Sequence, residues 1–146
     1  MNLFGMLEIS GSALTAERQR AQIVTSNMAN AQTTHTLVGG PYRRQLVIFK
    51  AQREHPFPMM RFAIGGDRTA AEGVRVERVV PDQKPPILRY EPGNPDADPK
   101  GYVAYPAIDP VEEMTDLLGA VRAYELNASA IAGTKAMIQQ SLEIVK

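Results

Sequence analysis

No cysteine occurs among the 146 residues, which excludes a disulfide framework and any thiolate metal site. No sign of charge dominates, because sixteen basic residues balance sixteen acidic ones. A neutral chain has neither the basic footprint of a nucleic-acid binder nor a polybasic membrane patch. No window approaches the run of about 18 apolar residues that a membrane span needs, so no direct membrane insertion is expected. The first residues, Met1-Asn2-Leu3-Phe4-Gly5-Met6-Leu7-Glu8, lack a basic stretch followed by a long apolar one. A cleaved secretory signal is therefore not expected, and any route out of the cytoplasm would have to cleave nothing.

Catalytic constellations are missing as well. His35 and His55 are the only histidines, and neither has metal-ligand spacing to a second donor. Gly39-Gly40-Pro41 lacks the Gly-Lys-Ser/Thr step of a phosphate loop. Glu112, Glu113 and Asp116 cluster at the start of a predicted helix, where the backbone dipole favours acids without any catalysis. Asp96 and Asp98 fall in a turn, a common place for aspartate. An enzyme built on these acids is the weakest reading, and neither a catalytic residue nor a cofactor is expected.

Proline is absent from both ends. All eleven prolines lie between Pro41 and Pro110. Proline removes a backbone donor and breaks helix interiors, so the ends are free to be helical while the middle must be strands, turns and loops. The expected class is α+β: two long antiparallel terminal helices in a coiled-coil-like hairpin, with a small β-rich middle domain. The corresponding divisions are residues 1–36, 37–108 and 109–146.

In the N-terminal segment, Leu3, Leu7, Ser10, Leu14, Glu17, Ala21, Val24, Met28 and Ala31 recur at 3–4 spacing, which predicts a helix from Leu3 to Ala31. Gly5 and Gly11 weaken its first turns by roughly 1 kcal/mol each relative to alanine. The C-terminal segment opens on Asp109-Pro110-Val111-Glu112. That places an N-cap Asp before an N1 proline, with Glu at N3. Met114, Leu118, Val121, Tyr124, Ala128, Ile131, Lys135, Ile138, Leu142 and Val145 then carry a helical stripe to the end. Between the helices, 45–50, 73–79, 86–90 and 101–105 read as strands. Residues 91–99 are a run of turn formers, and 53–71 reads as a long or mobile loop.

Two features point these helices outward. A helix from Pro110 to Lys146 would run about 55 Å, whereas a compact chain of this size is about 38 Å across. Charge is also withheld from them. Ala21 to Tyr42 contains no Asp, Glu, Lys or Arg, and Leu126 to Gln140 contains only Lys135. A helix with one face in water normally carries a charged stripe there. Small and neutral polar side chains suit a surface enclosed by other protein. Leu7, Leu14, Val24, Met28, Met114, Leu118, Val121, Tyr124, Ile131, Ile138 and Leu142 are the expected packing positions. The other reading is a monomeric protein-binding module with a closed helical hairpin.

Ser26-Asn27-Met28-Ala29-Asn30-Ala31-Gln32-Thr33-Thr34 is the most distinctive run. Asn27 and Asn30 share a helix face, and an amide can bind backbone groups at a helix end. Thr33 and Thr34 are β-branched and favour leaving the helix. Asn27, Asn30, Thr33, Thr34 and Asn127 are the expected polar contacts that fix register between packed helices. Gly39-Gly40-Pro41-Tyr42-Arg43-Arg44 reads as a sharp turn feeding a strand. Its arginines could grip a carboxylate or phosphate, but a solvated surface pair is the expectation.

Together with Ile9-Ser10-Gly11-Ser12-Ala13-Leu14, Pro95-Asp96-Ala97, Gly101-Tyr102-Val103 and Arg122-Ala123-Tyr124-Glu125-Leu126-Asn127, these runs resemble the bacterial flagellar axial proteins, and within them the proximal rod subunits. The resemblance follows the chain in order over nearly its whole length. It implies a structural protein exported unfolded by the flagellar type III apparatus and assembled into the periplasmic rod. There the terminal helices pair and line the inner tube. It further implies copies of the chain itself, other rod proteins and the adaptor between export gate and MS ring as partners.

Overall fold

The computed structural model describes residues 3–52 and 73–144. The elements run α1 (Leu3–Ala29), β1 (Gln45–Gln52), β2 (Gly73–Pro81), β3 (Ile87–Tyr90), β4 (Tyr102–Tyr105) and α2 (Pro110–Ile144). The architecture is α+β, as expected. The loop expected over 53–71 lies outside the described residues, as does Val145 at the end of the C-terminal stripe.

α1 runs through both glycines and ends where its own polar residues intercept the backbone. Asn30 donates its side-chain amide to the Ser26 carbonyl at 2.9 Å, and Thr33 donates its hydroxyl to Asn30 Oδ1. The Ala31 and Thr33 N–H groups occupy the Met28 and Asn30 carbonyls, which a helix C-terminus would otherwise leave over. α2 starts on the expected cap. Asp109 Oδ1 accepts the Val111 N–H at 2.9 Å, and the Asp109 carbonyl accepts that of Glu113. Glu112 does not face the cap but accepts from Arg44.

The strands form two ribbons, β1 with β2 and β3 with β4. β3 and β4 are antiparallel, in the register Ile87↔Tyr105 to Tyr90↔Tyr102. Their connection is a chain of turns closed by its own acids and amides. The Asn94 N–H reaches the Glu91 carbonyl, the Ala97 N–H reaches that of Asn94, and Asp98 Oδ1 accepts the N–H groups of Lys100 and Tyr102. Thr34 ties this turn to the exit of α1 by donating to Asp96 at 2.6 Å.

The chain groups into two compact units, and each takes part of both helices. In the first unit (described residues 3–19, 49–52, 73–77 and 120–144), Ala16, Ala120 and Thr134 are buried. Helix and strand approach closely here: the Val74 N–H donates to Ser12 Oγ at 3.0 Å, and a Cβ placed on Gly73 would lie 2.6 Å from that oxygen. In the second unit (Arg20–Ile48 and Arg78–Gly119), Val24, Val103 and Ile108 are buried beside the polar Asn27 and Glu113. The apolar core is small for a chain with so many large apolar side chains.

The expected stripe on α1 holds, since every one of its residues from Leu3 to Met28 is buried or half-buried. On α2 the sheltered line is different. It runs through Glu113, Leu117, Ala120, Ala123, Asn127, Ile131, Thr134 and Ile138. Five of the eight are small or hydrogen-bonding, and most of the bulky apolar side chains of α2 are left outside the line.

Candidate functional site

The end of α1, the entry to β1 and the start of α2 meet in a polar clamp within the second unit. At its centre is Asn27, 1% exposed. Its carbonyl oxygen accepts the Gln45 N–H at 2.8 Å and the Tyr42 hydroxyl at 3.1 Å. Its amide nitrogen donates to the Gln45 carbonyl and to Glu113 Oε2, both at 3.0 Å. Both donors and both acceptor positions of the carboxamide are thus used.

Arg44 completes the clamp. Its Nε donates to Glu113 Oε1, its Nη1 to Glu112 at 3.1 Å and its Nη2 to Asp116 at 3.2 Å. Asp116 also receives Arg20 from α1 at 3.4 Å. The Arg44 side chain is 11% exposed and that of Glu113 is 1%. Burial opposes the charge on Arg44, but the hydrogen bond and charge of Glu113, backed by Glu112 and Asp116, outweigh it and hold its pKa above the ordinary arginine value. Arg20 reaches a later residue of α2 than Asn27 does, so the two helix ends run antiparallel here.

Two expectations change on this geometry. Arg44 is not part of a solvated surface pair, although Arg43 is exposed. The acids at the start of α2 do more than complement a dipole, because all three grip one guanidinium. The only local hint was a pair of arginines followed far downstream by three acids. Asn27, expected to fix register between packed helices, here bonds Gln45, Tyr42 and Glu113 of its own chain. Asn30 and Asn127 spend their amides on the carbonyls of Ser26 and Ala123, four residues back in each case. Thr33 and Thr34 hold the chain leaving α1.

The packing positions divide. Val24 is buried, and Leu7, Leu14, Met28, Ile131 and Ile138 are half-buried. Met114 and Leu118 are 53% and 55% exposed, and Val121, Tyr124 and Leu142 are exposed with them. Val111, Leu126, Met137 and Ile144 are further large apolar side chains exposed on α2. Contiguous exposed apolar surface is the kind of surface on which protein partners commonly pack. The cavity beside the clamp holds about 130 Å³, less than small-molecule sites usually offer. Among the described residues, no group of three side chains is placed to hold a metal ion, and no helix is long and apolar enough to cross a membrane.

Comparison with known proteins agrees on one family. Residues 100–144, which cover β4 and α2, match the family described as flagellar basal body rod FlgEFG protein C-terminal. The flagellar basal-body rod protein FlgC of Bacillus subtilis is 40% identical over the full length of both chains. That of Borreliella burgdorferi is 38% identical over all of this chain and 99% of its own. That of Escherichia coli O157:H7 is 38% identical over 99% of this chain and 98% of its own. At these identities over the whole length, the chain belongs to the flagellar basal-body rod protein FlgC family.

Proposed function

We propose that the chain is a mechanical subunit of the proximal rod of the flagellar basal body, polymerising helically into the shaft that carries motor torque. The carrying observation is the apolar surface of α2 left open, where Met114, Leu118, Val121 and Leu142 are exposed while Ala120, Ala123, Asn127 and Thr134 are sheltered. Such a face gains stability when a neighbouring subunit covers it, at about 25 cal/mol per Å² of apolar surface buried. A contact between different surfaces of successive subunits continues into a helical filament when its rotation does not close. The clamp supports the same reading. It locks α1, β1 and α2 together, so that force entering through one helix reaches the other without slippage.

The remaining parts of the proposal rest on kinship. The chain is exported unfolded through the flagellar type III apparatus without cleavage. It joins copies of itself and other rod proteins in the periplasm, and the adaptor at the base of the rod receives it. A shaft subunit of this kind performs no catalysis. Isolating basal bodies from cells that carry a tagged copy of the chain, and imaging the tag, tests the proposal. The expected location is the proximal rod. A tag found only in the soluble periplasm or cytoplasm overturns it.

A further inference from the structure

We draw no further inference here: the strongest candidate, the outer edge of β3, where Leu88 and Tyr90 are exposed and no third strand pairs among the described residues, is an unpartnered edge with nothing in the structure to show what covers it.

Discussion

Asn27 clasps both backbone groups of Gln45: the side-chain amide of Asn27 donates to the Gln45 carbonyl, and its oxygen accepts the Gln45 N–H. A helix side chain thereby takes the place of a neighbouring strand at the first residue of β1. It does so while also holding Tyr42 and Glu113. The end of α1 and the start of the ribbon become one mechanical joint.

Asn27→Leu should therefore be among the most damaging substitutions. It leaves the Gln45 N–H and carbonyl and one Glu113 oxygen without this partner, at about 1–3 kcal/mol for each buried group left unsatisfied. Asn27→Asp keeps the shape but cannot donate to Gln45 or Glu113, and it adds a charge beside a buried carboxylate. Both variants should unfold at lower urea concentration than the wild type. Wild-type stability in either variant would show that the clamp contributes nothing.

Arg44→Lys tests the ionic half of the clamp. A lysine ammonium cannot span three carboxylates as the fixed fork of a guanidinium does, so the ion-pair set around the buried Glu113 is broken in part. Breaking a buried pair in this way costs about 3–5 kcal/mol. Arg43→Lys, on an exposed neighbour, should change stability by less than about 0.5 kcal/mol. Equal effects from the two substitutions, measured by thermal unfolding, would contradict the assignment.

Much of this architecture was legible before the structure. The confinement of proline to the middle and the 3–4 spacing at the ends locate both helices. The expected end of α1 at Ala31 differs from the observed Ala29 only by the turn that Asn30 and Thr33 make. Strands β3 and β4 fall within one residue of their expected starts. The clamp was not legible, because Arg44 and Glu113 lie 69 residues apart and nothing local distinguishes Arg44 from Arg43. The sheltered side of α2 was hidden for a related reason. Periodicity follows bulky apolar residues, whereas close helix packing selects Ala120, Ala123 and Thr134.

The close approach in the first unit gives a sharper steric test. Gly73→Ala would put a methyl 2.6 Å from Ser12 Oγ, so that Ser12 or the strand must shift, at about 1–3 kcal/mol. Adding Ser12→Ala removes that oxygen, so the double variant should recover part of the loss. It should stay below the wild type, because the Val74 N–H loses its acceptor. Strictly additive losses in a double-mutant cycle would deny the contact.

The turn between β3 and β4 should respond to pH at both extremes. Hydrogen bonds from Asn94 and Tyr105 hold the Glu91 carboxyl below its ordinary pKa, and the bond to Glu91 raises the Tyr105 hydroxyl above its own. A depressed carboxylate contributes stability above its ordinary pKa and loses it as pH falls through the folded value. A raised phenol contributes stability below its ordinary pKa and loses it as pH rises through the folded value. Amide exchange at Asn94 and Tyr102 should thus be slowest between the two ranges, relative to intrinsic rates. Glu91→Gln should flatten the acid limb, and an unchanged acid limb would exclude the Glu91 contact.

The most direct test of the central claim is Leu118→Asp, which puts a charge on the outward face of α2 and leaves the clamp untouched. The quantities to measure are the exported protein, its amount in isolated basal bodies and swimming. The rod account predicts near-normal export, loss from the basal body and loss of motility. Normal swimming, with Leu118→Asp present in the rod at wild-type amounts, would contradict it.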